Sequence, residues 1–355
     1  MRIFDRRRLL FACSCVALMT TTACSVVPTF MVGRPMINIG TTTSGRPMIN
    51  IGTTTSGRPM INIGTTSKDD VRIGGCRVFP KKDPWNTDIS GYPVDPHSAD
   101  YLANMHPATH VHPDFGSSPT YGIPWITVPK SQPFLPITFD DSQESNPGPY
   151  PFPPNVPIES GSDRHAIVID TGTCTLYETY ATKYLGPPPS NGFHAYSGAV
   201  FAFDKINPQR TDGWTSADAA GLAILPGLVK KSEADSGVIN HAFRFTMSST
   251  QSAFIHPAQH CTSGFPHSQY PYYPPMGLRV RLRASYDISS FTGDALAIAV
   301  ALKKYGLLLA DNGSDWYITG ETNTSWDDNN LNQLKNIPGS AFEVVHTGPL
   351  ITGSC

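Results

Sequence analysis

The chain has 355 residues, enough for one large domain or two smaller ones. Its 33 prolines and 30 glycines, beside only 15% charged residues, argue for a compact, loop-rich, strand-dominated protein. A formal net charge of -2 excludes the strongly basic balance of a nucleic-acid binder or a membrane-surface protein, so any electrostatic function has to be local.

The N-terminus reads as a targeting segment, outside fold reasoning. Arg2, Arg6, Arg7 and Arg8 form a charged stretch, and the apolar run 9–19 is shorter than the roughly 20 residues that a membrane-spanning helix needs. Thr21, Thr22 and Ala23 then lead to Cys24, the pattern of a lipoprotein signal in which Cys24 carries the lipid. Leucine is missing three places before Cys24, which leaves ordinary cleavage as the alternative, and residues 5–10 (DRRRLL) also have twin-arginine character. The expectation is therefore an export signal over 1–24 and an envelope lipoprotein or secreted protein whose one membrane contact is the lipid.

Residues 33–67 hold GRPMINIGTTTS twice and a third, shortened copy. Three such short copies cannot bury much, so 25–70 reads as a repeat-bearing tether. A strand-forming assembly motif is the sharper alternative, because Met-Ile-Asn-Ile has β-character. A single globular domain is expected over 71–355.

Outside the cytoplasm disulfides persist. With Cys13 and Cys15 lost with the signal and Cys24 lipidated, Cys76, Cys174, Cys261 and Cys355 remain. They are too far apart for a zinc site of CxxC type, so two structural disulfides are expected, in one of three connectivities.

From 76 to 157 the chain is punctuated by Pro, Gly, Asn and Asp, with one short helix predicted at 97–104. Such a segment should wrap over something more regular, bringing Trp85, His110, His112, Phe115 and Trp125 to an edge or cleft. HAIVID (165–170) is apolar on both faces and predicts a central strand, with CTLYETY (174–180) returning as a hairpin and SGAVFAFD (197–204) as a further strand. Residues 240–246 and 253–260 predict two strands around a polar loop. In 277–286 (GLRVRLRASY) Leu278, Val280, Leu282 and Ala284 alternate with Arg279, Arg281 and Arg283. A buried helix is predicted at 293–305, capped by Ser290 or Thr292 and ended by a left-handed Gly306. Strands at 307–310 and 316–319, a short helix at 327–335 and a strand at 341–345 complete the pattern. Many strands and two helices near the C-terminus, after a long irregular wrap, point to a mainly β fold, an antiparallel β-sandwich or jelly roll.

From residue 76 onward the chain carries DPWNTDISGYPVDPHSADYL (83–102), HPDFGS (112–117), YGIPW (121–125), NPGPYPFPP (146–154), RHAIVID (164–170), GWTSADAAGLAILPGLV (213–229), INHAFRFT (239–246), HPAQH (256–260), PPMGLRVRLRASYDIS (274–289), ALKKYGLLLADNGSDWYITG (301–320) and PGSAFEVV (338–345). In these stretches it resembles a family of exported bacterial proteins of uncharacterised activity. The resemblance covers nearly the whole mature domain and implies a secreted single-domain protein, with no activity to carry over.

Several constellations carry chemistry. His241 on the first strand and His256 and His260 on the second would converge if their faces coincide, for acid/base work or for a metal with three protein ligands; the bland alternative for His241 is a core histidine bonded to a backbone carbonyl. Arg279, Arg281 and Arg283, with Arg244 nearby, form a guanidinium stripe suited to carboxylate or sulfate groups along a polymer, unless it is a solvated face paired with local acids. Asp170, Glu178, Asp218, Asp311 and Asp315 are the carboxylates available for glycoside hydrolysis. Asp311 to Asp315 with Asp327 and Asp328 could hold calcium, although hairpin chemistry explains them and no other cofactor or metal is expected. Trp316 is a candidate stacking platform. No GxSxG, Walker, GxGxxG or HExxH motif is present. The leading expectation is an exported hydrolase or lyase acting on a polysaccharide, an anionic one among the options, with His241, His256 or Asp170 catalytic and the arginines and Trp316 on the substrate. The rival is a noncatalytic glycan-binding envelope lipoprotein.

Overall fold

The computed structural model describes residues 71–189, 191–353 and 355, with the backbone strands Ile37–Thr41 and Pro47–Ile51. The segment read as an export signal, Cys24, and the rest of the segment read as a tether lie outside the described residues. The chain divides at 68/69. In the first unit two repeat copies pair antiparallel, Ile37 opposite Ile51 and Ile39 opposite Ile49.

The second unit is built on two principal sheets. The ten strands used below are β1 (His112–Pro113), β2 (Trp125–Val128), β3 (Ala166–Asp170), β4 (Thr175–Tyr180), β5 (Ser197–Ala202), β6 (Phe243–Met247), β7 (Arg279–Leu282), β8 (Leu307–Asn312), β9 (Tyr317–Ile318) and β10 (Phe342–Val344). One sheet has the order β5-β4-β3-β2, the other β10-β7-β8-β6-β9-β1. The mainly β expectation holds, but the pairing is mixed: β2/β3, β6/β8 and β1/β9 are parallel, so the sheets are not those of a purely antiparallel sandwich.

Strand β3 explains the layering. Every residue in it is buried, as a strand apolar on both faces demands. Ile167 and Ile169 join the main core on one side. Ala166 and Val168 on the other meet Leu135, Ile137, Tyr150, Phe152 and Phe193, contributed largely by the irregular wrap. The wrap thus closes a second, smaller core. Elsewhere Asp83 pins it, accepting from Trp85 N and from both Asn207 N and Nδ2 at 2.8–2.9 Å.

The helix predicted at 293–305 is observed as Gly293–Lys304. Its start is capped by a neighbour, Asn330 Oδ1 taking the Ala295 N–H at 2.9 Å, rather than by the Thr292 hydroxyl. It stops where Gly306 turns left-handed at φ +66, at a point where a Cβ would meet the Val280 carbonyl oxygen at 2.1 Å. The helix at Asp328–Leu331 is capped by Asp327, which accepts from Asn329 N and Asn330 N.

The strand predicted at 253–260 is only two residues long, Ala253–Phe254, and pairs with Ile351–Thr352 instead of with β6. The Pro257 that follows His256 has no N–H to give to a ladder. The two predicted neighbours are therefore apart, which bears on the histidines below.

Two disulfides close the unit, Cys76–Cys174 and Cys261–Cys355, using all four expected cysteines. They fit an oxidising compartment. Among the described residues no helix is long and apolar enough to cross a membrane. Because Cys76–Cys174 spans a sequence separation of 98 and ties the start of the wrap to the β3–β4 turn, its double Cys→Ser variant is expected to lose on the order of 4 kcal/mol in urea unfolding. An unchanged midpoint would mean that the wrap holds itself.

Candidate functional site

Arg244 sits in the middle of β6, on the face opposite the core phenylalanines Phe243 and Phe245, and is buried with its charge. Burial works against that charge, and two carboxylates more than restore it. Asp218 Oδ2 lies 3.2 Å from both Nε and Nη2, Asp311 Oδ2 lies 3.7 Å from Nη2, and the Thr319 hydroxyl accepts from Nη1 at 2.9 Å.

A β-bulge brings Asp311 there. Phe245 pairs with Leu309 and Thr246 with Asp311, leaving Ala310 as the extra residue on β8. Without it Asp311 would lie opposite Met247, on the other face of the sheet; with it, Asp311 shares the face of Thr246 and Arg244. The freed Ala310 carbonyl takes the Ala220 N–H at 2.9 Å. That bond anchors the loop carrying Asp218, which ends at Gly221 with φ +73, where a Cβ would meet the Trp214 carbonyl oxygen at 2.6 Å. One irregularity therefore sets both carboxylates.

Above this floor opens a cleft of about 500 Å³, lined by Asp141, Glu144, Asp163, Tyr180, Tyr196, the 215–219 loop, His260, Thr262, Asp311 and Asn312. It forms where the end of β4 and the start of β5 meet the end of β8. Tyr196 is 47% exposed and stands edge-to-face with Tyr180, centroids 5.9 Å apart. The Asp311 side chain is 30% exposed, while that of Asp218 is wholly covered.

Burial raises the Asp218 carboxyl to about 7 against the pull of Arg244, with Asp311 adding to the rise. Asp311 is raised for the same first reason, again opposed by Arg244. Beside them His165 gives Nδ1 to Glu159 Oε2 at 2.5 Å and Nε2 to the Ala217 carbonyl at 3.1 Å. Both partners accept, so both ring nitrogens carry protons. Burial would lower its pKa, but the Glu159 hydrogen bond and charge raise it. Glu178, raised to about 7 by burial, accepts from Ile224 N and Leu225 N at 2.8 Å and so holds the chain beyond the Asp218 loop.

The three imidazoles do not converge. His241 is fully buried, its Nδ1 on the Ala242 carbonyl at 2.8 Å and its Nε2 between Glu233 at 2.8 Å and Lys230 at 3.2 Å, which is the core-histidine alternative. His256 is exposed and pairs with Asp212 at 2.9 Å, and His260 alone reaches the cleft, giving Nδ1 to the Ala219 carbonyl at 2.6 Å. Among the described residues no group of three or more His, Cys, Asp or Glu is arranged to hold a metal ion. Asp170 is a turn residue, accepting from Gly172 N at 2.8 Å and the Thr173 hydroxyl at 2.9 Å.

The arginine stripe is mostly internal. Arg279 gives Nε and Nη2 to the Tyr305 carbonyl and Nη1 to that of Pro84, at 2.5–2.9 Å. Arg281 pairs with Glu343 at 2.7 Å and bonds the Ile89 and Ser90 carbonyls. Arg283 alone is exposed. Trp316 offers no platform: it is buried, stacked on Phe245 and Phe342, with Nε1 donating to the Met105 carbonyl at 2.6 Å. Asp315 accepts from Ser248 N, and Asp328 from Ser117 N and its hydroxyl, so turn and cap chemistry accounts for the acids proposed for calcium. Of the wrap residues, Trp85 and Phe115 are core, while His112 stacks on Tyr317 at 4.1 Å, away from the acidic cleft. Glu159, Asp163, His165, Tyr180 and Tyr196 were not singled out from sequence. The one local signal was the polar cluster SDRH directly ahead of a fully buried strand.

Compared with known protein families, with curated proteins and with solved structures, the chain gives no match. Function has to be argued from the site itself.

The charge network makes stability pH-dependent in a definite direction. Asp83, Glu178 and Asp218 have folded pKa values of about 6, about 7 and about 7, raised above the ordinary carboxylate range chiefly by burial. Each contributes stability fully below its unfolded value, near 4, and loses it as pH rises through the folded value. Glu233, held at about 2 by Lys230 and His241 against its own burial, acts oppositely and loses its contribution as pH falls toward 2. The unfolding temperature is therefore expected to fall between about pH 5 and pH 8, and Glu178→Gln should flatten that slope. Calorimetry across this range checks it; a temperature that climbs instead contradicts the burial argument.

Proposed function

We propose that this chain is an exported glycan-acting protein that hydrolyses its polymer in the acidic cleft. The observation that carries the proposal is the pair Asp218 and Asp311 on one guanidinium, with pKa values pushed upward, one of them open to the cleft. Their oxygens share Arg244 Nη2 and so lie within about 7 Å of each other, close enough for the Asp311 charge to add to the rise at Asp218, and a carboxyl group with a raised pKa is what glycoside hydrolysis uses as its acid. Asp311, half-buried and with its carboxyl raised by that burial, is the general acid. Burial raises its proton affinity, Arg244 opposes the rise, and the nearby Asp163 charge adds to it. Asp163, exposed on the lip, is the second carboxylate. Hydrolysis breaks the anomeric C–O bond, the Asp311 proton goes to the leaving oxygen, and water adds its hydroxyl at the anomeric carbon while its proton passes to the second carboxylate. Tyr196 and Tyr180 supply the aromatic wall against which a sugar ring packs.

Elimination is the weaker reading. It needs a cation beside a uronic carboxylate, and no lysine or arginine is among the residues that line the cleft. The two disulfides support an oxidising location, and an export signal with a lipid at Cys24 belongs to the same proposal.

The full chain incubated with a polysaccharide panel is expected to release new reducing ends. Asp311→Asn should lower kcat at least a hundredfold with an unchanged circular dichroism spectrum, and Asp163→Asn should lower it as well. Binding without products, unaffected by Asp311→Asn, would assign the cleft to a noncatalytic glycan-binding protein.

A further inference from the structure

We infer that the glycan this cleft takes carries free amino groups, as in a de-N-acetylated hexosamine polymer, an inference that rests on the glycan reading above. The first ground is the balance of charge. Asp141, Glu144, Asp163 and Asp311 are all at least partly open along the lining. The arginines beneath are committed: Arg244 to Asp218, Asp311 and Thr319, Arg210 to Asn146 and the carbonyls of Glu144 and Thr215. A polyanion would meet carboxylates along its whole length, and like charges brought together across an interface cost several kcal/mol.

The second ground is unused acceptor capacity. An ionised carboxylate offers about four lone-pair sites. Among the described residues Glu144 accepts from Thr215 N at 2.9 Å, Asp141 from Glu144 N at 3.4 Å, and Asp163 from its neighbour, the Ser162 hydroxyl, at 3.1 Å. Each keeps room for the three N–H donors of an ammonium group, whereas an N-acetyl group brings one N–H and no charge. The third ground is spacing. These acids are not gathered into a group that could hold a metal ion among the described residues, but are spread over the wrap, the turn before β3 and the end of β8. Such a spread suits several cations repeated along a chain better than one ion. Tyr196, exposed on the same wall, serves the apolar face of the sugar ring that carries the amine.

The test is calorimetric titration of the full chain at about pH 5.5 with three oligomers of equal length: glucosamine, N-acetylglucosamine and galacturonate. The glucosamine oligomer should bind about tenfold or more tighter than the acetylated one, and that advantage should shrink severalfold when salt rises from low to physiological strength. The double variant Asp141→Asn with Glu144→Gln, which keeps an acceptor oxygen at each position, should erase most of the preference. Equal or tighter binding of the acetylated or uronate oligomer, or a preference that survives the double variant, overturns the inference. Product analysis on the same oligomers separates the two readings. Amine preference without cleavage removes the hydrolase and keeps the ligand class. Cleavage without amine preference does the reverse, and no binding of any oligomer removes both.

Discussion

A guanidinium buried away from water is the constraint on which the rest of this unit turns. An uncompensated charge in that position would be strongly destabilising, so Arg244 needs anions, and the fold supplies them from two places far apart in sequence. The 213–221 loop brings Asp218, and the end of β8 brings Asp311. Because both arrive to serve one buried cation, both acids are taken out of water, and burial raises the proton affinity of each against the pull of Arg244, with the Asp311 charge adding to the rise at Asp218. A structural requirement and a chemical capability are here the same interaction.

A second charge centre supports the first. His165 stands at the head of β3, doubly bonded to acceptors, and its positive charge counters the neighbouring acids. Glu178 on β4 reaches across to fix the turn at Ile224 and Leu225. The floor is thus held from both sheets, while the lips, at Asp141, Glu144, Asp163 and Tyr196, come from turns and from the wrap. Rigid base and irregular rim is the usual division of labour between scaffold and loops.

What the sequence disclosed follows from which interactions are local. The apolar run in β3 announced a strand covered on both sides, and Gly306 after two lysines announced a helix end; both were legible because periodicity and φ are local properties. The arginine alternation in β7 was equally clear, yet alternation reports two faces and not what lies over them. The backbone carbonyls of Pro84, Ile89 and Ser90, nearly two hundred positions away, cover that face and turn the expected ligand contacts into internal hydrogen bonds. His241 and His256 looked co-facial only on the assumption that their segments pair, and strand partners are set by tertiary contacts that a single sequence does not encode visibly. Asp218 and Asp311 stood among the plausible acids. Nothing local joined them, because the joining residue, Arg244, was read with the wrong partners.

The bulge at Ala310 has an evolutionary corollary. Substitutions at Asp311 or Arg244 would leave an obvious scar, a missing functional group. Removing Ala310 would spare every side chain named in the cleft and leave the ladder of β6 with β8 regular, Asp311 still opposite Thr246 on the Arg244 face, while taking away the carbonyl that receives the Ala220 N–H and with it the anchor of the Asp218 loop. Homologous chains that keep all the site residues but lack that single position would retain Asp311 beside the guanidinium and lose the hold on the Asp218 loop, so strand length, as well as residue identity, is a character by which chains with and without the acid pair would be told apart.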